Sequence, residues 1–338
     1  MATSHQQSSQ MTAVVIEGAG GPAVLRLAHL PRPEVGGSEV LVRVRASALN
    51  RADILQRKGK YPAPAGSPAN IPGLEFAGEV ESVGSAVQLW KIGDRVMGLV
   101  GGGAHAEYVA VHERTLARIP PELSFELAAA IPEAFITAHD ALWIQAALRP
   151  CERVLVHAAG SGVGLAAIQL TRAMRAIPFG TTRTADKLER AKEYGLENGF
   201  VVSNSPTAED GKQWERTGAF DVVIDLVGGA YTNASLHALG QQGRVILVGT
   251  MGGSKTELDS SVMLAKRAHL MGTVLRARPL EEKIAVSRRF ASEVLPLFSA
   301  GILRPVIDRQ FDLGDIRAAH ERMESNQSFG KIVLCIGN

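Results

Sequence analysis

Residues 154–167 read VLVHAAGSGVGLAA, and this stretch decides the fold. The run VLVHA (154–158) is short and apolar enough for a strand buried on both faces. It leads directly into Ser161, Gly162, Val163 and Gly164, with Gly162, Gly164 and Ala167 spaced G-x-G-x-x-A. The first glycine allows a tight turn, the second lets backbone approach a pyrophosphate, and the small third residue lets a helix pack on the strand. A helix opening there offers unpaired N–H groups and its positive dipole end to an anion. The order strand, loop, helix predicts a dinucleotide site; the plainer alternative is a tight strand-to-helix turn.

Downstream the same grammar repeats. IPFGT (177–181), GFVV (199–202), DVVIDLV (221–227), RVILVG (ending at Gly249) and HLMGTVL (269–275) read as strands, separated by the helical LAAIQLTRAMRA, DKLERAKEYG and YTNASLHALG. That alternation predicts a doubly wound parallel sheet. Beyond Pro279 the pattern predicts a long helix with the basic run from Lys283 to Arg289 solvated and Ile284, Val286 and Phe290 packed inward. A strand over 306–311, a helix from Asp312 or Gly314 and a last strand, KIVLCI, follow. Upstream, from Thr12 to about Leu116, short alternating runs such as EVLVRVRASAL and EFAGEVESVG are punctuated by Gly and Pro, the pattern of a mainly antiparallel β domain. Pro120-Pro121 closes it, and a helical stretch runs from Ser124 through Glu133 to Ala147.

Composition narrows the function. The chain has 338 residues, 46% hydrophobic and 21% charged, which suits two packed domains and excludes a mostly disordered protein. Lys plus Arg number 36 against 34 Asp plus Glu, and the basic residues are scattered, so no nucleic-acid partner is expected. Cys151 and Cys335 form no CxxC pair, which fits a reducing compartment, and no apolar run is long enough to span a membrane. The polar stretch 1–10 lacks the features of a secretory signal and reads as a solvated tail. A cytoplasmic location is expected.

Cofactor choice is written at the end of the second parallel strand. Where an NAD enzyme places an acidic residue for the ribose 2′-hydroxyl, this chain has Gly180-Thr181-Thr182-Arg183-Thr184 and then Lys187. Arg183, Thr184 and Lys187 can donate to a 2′-phosphate, so NADPH is favoured over NADH; Asp186 tempers the field, and the plainer alternative is that both basic residues are ordinary solvated helix-start residues.

With these residues in hand, the chain resembles the medium-chain dehydrogenase/reductase superfamily, and within it the zinc-independent quinone oxidoreductases. ALNRADILQRKGKYP, AAIPEAFITA and GSGVGLAAIQLTR are similar in particular to the p53-inducible quinone oxidoreductase branch. The resemblance implies an α/β architecture with a GroES-like β domain from both chain ends (11–131 and 276–338), an inserted Rossmann domain (132–275) and an active site in a cleft. It also bears on zinc: zinc-dependent relatives use Cys where this chain has Asn50, and Gly-His-Glu where it has Gly73-Leu74-Glu75, and they carry a four-cysteine lobe. These departures remove a thiolate and an imidazole, so no metal is expected.

Without a Lewis acid, reduction of an electron-poor quinone or enone is the chemistry that needs only hydride placement and a proton source. By resemblance Asn50 lies beside the nicotinamide ribose and Tyr61 over the substrate, where it hydrogen-bonds or stacks; the alternatives are a turn-forming Asn and an aromatic packed under a loop. Further cofactor contacts carried over by position are Thr137, Val227, Gly249, Leu275, Gly330 and Lys331. Relatives often place a Tyr on the 2′-phosphate or adenine where this chain reads GFVV, which throws more of the selectivity onto Arg183.

The function expected is an NADPH-dependent quinone oxidoreductase, with an alkenal or enone double-bond reductase and an NADPH-binding protein of little turnover as alternatives. A homodimer or tetramer is expected, built on the edge left by HLMGTVL. Of the nine histidines none falls in HExxH; His157 reads as a hydrogen-bonded core residue. Both cysteines read as buried spectators, with Cys151 standing where relatives have a turn glycine.

Overall fold

The computed structural model describes residues 9–337, so most of the stretch read as a tail lies outside the described residues. The first strand starts one residue before Met11, because Gln10 already pairs with Pro31. The chain divides into two compact units: one contains the chain up to Glu133, Arg276–Ser299 and everything from Ile307, and the other Ala134–Leu275 with Ala300–Val306. That last segment, which the sequence places with the β domain, is held in the second unit by the Gln169 amide, which bonds both the carbonyl and the N–H of Arg304.

The first unit opens with β1 (Gln10–Ile16), β2 (Leu25–Pro31), β3 (Glu39–Ala48), α1 (Arg51–Arg57), β4 (Glu75–Val83), β5 (Arg95–Leu99), β6 (Tyr108–His112), β7 (Leu116–Arg118) and α2 (Phe125–Ala129). Helix α1 was not legible as an apolar stripe. Its signal is capping: Asn50 stands at the N-cap, and Asp53 three residues on accepts the Asn50 backbone N–H at 2.7 Å. The helical stretch expected over 124–147 is broken after α2, because Pro132 starts a new helix as its first residue and disfavours helical backbone before it.

The second unit continues with α3 (Pro132–His139), whose first two residues belong to the first unit, then a π-helical turn over Asp140–Gln145 and β8 (Arg153–Val156). It goes on through α4 (Gly162–Ala173), β9 (Ile177–Thr182), α5 (Ala185–Lys192), β10 (Asn198–Val201), α6 (Ala208–Glu215), β11 (Phe220–Asp225), α7 (Ala230–Ala238), β12 (Leu239–Leu247), α8 (Ser260–Lys266) and β13 (His269–Gly272). The strands are all parallel, in the order β10-β9-β8-β11-β12-β13, the doubly wound order that the sequence alternation predicts. Leu155, Val223 and Val245 from neighbouring strands are fully buried in its core. The last strand is shorter than HLMGTVL. Its partner β12 ends opposite Gly272, so after one more bond from the Thr273 N–H to the Leu247 carbonyl nothing continues the ladder.

Returning to the first unit, the chain forms α9 (Leu280–Glu293), α10 (Leu295–Ser299), β14 (Ile307–Asp312), α11 (Ile316–Glu324) and β15 (Lys331–Cys335). A 3₁₀ turn over Leu313–Asp315 delays α11 beyond the expected Asp312 or Gly314. The large sheet runs β14-β15-β3-β4-β5-β7, with β6 also paired to β3, so the C-terminal β15 is an interior strand beside β3. Val42, Phe76, Val96, Ile332 and Leu334 fill its core. Among the described residues no helix is long and apolar enough to cross a membrane. Cys151 is exposed, against the buried reading, and its φ of 67° is the left-handed turn that suits glycine at this position.

Candidate active site

In the second unit the sequence-predicted residues gather at the carboxyl ends of β8, β9, β11 and β12. Ser161 caps α4 by accepting the Gly164 N–H at 3.0 Å, which leaves the amides of Gly162 and Val163 at the open end of the helix. A side chain at Gly164 would begin 2.5 Å from the Ala158 carbonyl oxygen, so only glycine lets the helix start this close to the strand. Beyond β9, Arg183 and Thr184 are exposed, and the Arg183 guanidinium donates to the Asn204 side-chain oxygen at 3.5 Å. The Thr182 hydroxyl donates to the Thr184 carbonyl at 2.6 Å and so shapes the turn that carries Arg183 and Thr184. Thr137 and Leu275 are buried in the same unit.

The sequence did not single out Asp225, the buried last residue of β11. One of its carboxylate oxygens accepts the N–H groups of Val227 and Gly228 at 2.9 and 2.8 Å, and the other accepts the Thr232 hydroxyl at 2.7 Å. Its backbone carbonyl takes the N–H of Val248, at 2.8 Å, from the segment that leads to Gly249. One side chain thus fixes the loop that carries Val227, a position expected to touch cofactor. His157 lies nearby between the Thr181 and Ser235 hydroxyls at 2.9 and 2.8 Å; burial pushes its pKa down to about 4, so it is a neutral core group.

In the first unit Asn50, Lys331, Glu75, Glu133, Tyr61 and Arg276 form one polar cluster. The Lys331 ammonium, almost fully buried, donates to the Asn50 side-chain oxygen at 2.7 Å and the Leu49 carbonyl at 2.8 Å, and lies 2.6 Å from the fully buried Glu75 carboxylate. Asn50 in turn donates to Glu75 at 2.9 Å, and Glu75 accepts the Glu133 backbone N–H at 2.8 Å. Gly330, with φ of 95°, turns the chain into this strand. Arg276 lies with its guanidinium carbon 5.0 Å from the centre of the Tyr61 ring and binds the carbonyls of Gly101 and Tyr61 and the side chain of Gln56.

Burial dominates the titration of this cluster. It raises the Tyr61 phenol above its ordinary value and pushes Glu133 up to about 8, helped in the second case by the Glu75 carboxylate. Asp53, buried under Asn50, is also raised by burial, and His105, bonded to Ser47, is pushed down to about 3. Arg276, Glu133 and the Lys331–Asn50 bond were invisible as a site in the sequence. Only the Asn50–Asp53 capping pair had a local signal.

Residues 36–121 match the family described as the alcohol dehydrogenase GroES-like domain, and 198–334 match the zinc-binding dehydrogenase family. A quinone oxidoreductase from Lama guanicoe is 34% identical over 332 residues, covering 96% of this chain and 98% of that protein. A solved NAD-dependent alcohol dehydrogenase is similar with a TM-score of 0.83 at 31% identity, covering 97% of this chain and 100% of the other. A mycobacterial protein solved in complex with NADPH has a TM-score of 0.84 at 27% identity, covering 96% and 99%. With a GroES-like sheet, a doubly wound parallel sheet and relatives matched along nearly their whole length, the chain belongs to the medium-chain dehydrogenase/reductase superfamily and is an oxidoreductase with quinone oxidoreductase-like homologues.

Proposed function

We propose that this protein is an NADPH-dependent quinone oxidoreductase that works without zinc. The observation that carries the reading is Lys331: a buried ammonium already occupies the space between Asn50 and Glu75, with bonds of 2.7 and 2.6 Å. A zinc ion does not fit beside that positive charge, and Asn50 offers a neutral amide in place of a thiolate. The same ammonium fixes the Asn50 amide, so its orientation is set before any ligand arrives.

NADPH, when bound, supplies the hydride. The residues suited to hold it are Ser161, Gly162, Val163 and Gly164 for the pyrophosphate and Arg183, Thr184 and Lys187 for the 2′-phosphate. Support for the phosphorylated form comes from the exposed Arg183 and from the lack of any carboxylate between Gly180 and Thr184. Arg183→Asp removes a charge-assisted bond and adds repulsion, so the ratio of kcat/KM for NADPH over NADH is expected to fall about 10- to 100-fold. An unchanged ratio removes the NADPH assignment.

Tyr61, protonated at neutral pH and stacked near Arg276, is suited to hydrogen-bond the oxygen of a flat acceptor. Steady-state oxidation of NADPH against a quinone panel and an enone panel tests the substrate class. Tyr61→Phe is expected to lower kcat/KM for the preferred quinone about 3- to 10-fold, the worth of one neutral hydrogen bond. Equal rates in the two proteins would leave the phenol no part in binding. We place a homodimer on the free edge of β13.

A further inference from the structure

Reduction of a quinone by hydride leaves an oxyanion that needs a proton, and the cluster in the first unit holds one carboxyl that nothing else uses. The Glu133 backbone is pinned by its N–H bond to Glu75, while its own carboxyl makes no hydrogen bond among the described residues. The residue as a whole is partly exposed, unlike Glu75 and Asp53, and its charge is felt at the Tyr61 phenol. The charged and titratable groups that face it are Glu75 from β4, Lys331 from β15, Asp53 from α1, Arg276 from the segment before α9, Lys283 from α9 and the Tyr61 phenol. Two carboxylates share one lysine here, and Glu75 holds it, at 2.6 Å.

We propose that Glu133 is the proton donor of the reduction, passing its carboxyl proton to the oxygen of an acceptor held by Tyr61; this rests on the quinone reductase reading above. In the step, the two hydride electrons reduce the quinone to its hydroquinone monoanion, an O–H bond forms at the anionic oxygen, and the O–H bond of Glu133 breaks. The carboxylate recovers its proton from solvent, so one quinone, one NADPH and one proton give one hydroquinone and one NADP⁺. The raised affinity of Glu133 for its proton, to about 8, keeps the donor form loaded at neutral pH. Tyr61 positions the acceptor, while burial and the Glu75 carboxylate keep Glu133 from ionising against the opposing pull of Lys331 and Arg276.

The sign of the pH dependence follows. The protonated acid is the active form, so kcat/KM is level below pH 8 and falls as pH rises through it. Glu133→Gln keeps the backbone N–H bond to Glu75, and it is expected to lower kcat about 10²-fold and to abolish the basic limb, with the NADPH dissociation constant unchanged. Glu133→Asp, an acid one methylene shorter, restores part of the rate together with a basic limb. Independently of turnover, carbon NMR of the protein labelled at glutamate carboxyl carbon should show one resonance titrating near 8, absent in Glu133→Gln and shifted by added quinone. A variant with wild-type rate and basic limb overturns the assignment, as does a resonance near 8 that ignores quinone. Wild-type protein that binds NADPH yet reduces no quinone overturns instead the reading beneath it, and the response of the resonance to quinone then still decides whether Glu133 meets the acceptor.

Discussion

Replacing Lys331 by Met is expected to destabilise the protein by about 3–5 kcal/mol, the largest effect of any single substitution considered. The reason is what remains behind. Glu75 is fully buried and would be left, among the described residues, with only the Asn50 amide and the Glu133 N–H as donors. The methionine fills similar volume, so the loss comes from an uncompensated carboxylate and not from a cavity. The Leu49 carbonyl and the Asn50 side-chain oxygen lose their donor as well. Denaturant unfolding of Lys331→Met measures the effect, and the double variant with Glu75→Gln should recover more than half of it, because the neutral amide no longer needs a counter-charge. A loss below 1 kcal/mol in the single variant would mean that the ammonium does not balance Glu75.

Asp225→Ala carries the second large effect, about 3 kcal/mol or more. Three donors, the N–H groups of Val227 and Gly228 and the Thr232 hydroxyl, lose their acceptor, and the first two belong to a tight loop in which Gly228 has a φ of 73°. Bonds to a charged acceptor contribute roughly 1.5–3 kcal/mol each, with part of the loss recovered where water reaches the loop. Asp225→Asn is the informative contrast. Its remaining carbonyl oxygen can still accept both N–H groups, while its NH₂ cannot accept the Thr232 hydroxyl, so about 1 kcal/mol is expected. Thermal unfolding separates the two variants, and equal melting temperatures would show that the paired amide acceptor is not what holds the loop. The Asp225→Ala protein should also bind reduced cofactor more weakly, because Val227 rides on that loop.

These two residues also mark how far the sequence could be read. The glycine loop was legible because every part of its signal is local: the apolar strand, the G-x-G-x-x-A spacing and the helix follow one another within a few turns of chain. Strand order followed from that rhythm. Asp225 stood in plain view as the fifth residue of DVVIDLV, but its partners lie in the next loop and helix, and the run looked like uninterrupted strand. Lys331 and Asn50 are 281 positions apart, so nothing in their neighbourhoods announces that one holds the other. Tyr61 was visible as an aromatic in a turn, whereas Arg276 behind it sits just past the end of the inserted unit, where the sequence reads as a linker. The misread Cys151 follows the same rule: its left-handed backbone was implied by the turn, but its exposure depends on what packs around that turn.

The position of β15 inside the sheet has a consequence for biosynthesis. Lys331 reaches the Leu49 carbonyl across 282 residues of sequence, and β15 lies between β14 and β3. While the ribosome is still working, β6 can cover Glu39–Arg43 of β3, but the stretch from Ala46 to Ala48 stays unpaired on that flank until β15 leaves the exit tunnel. The parallel sheet, by contrast, is translated in full by Gly272. Nascent chains arrested after that point should therefore resist protease across the parallel sheet while the earlier half remains open to cleavage and in need of chaperone cover.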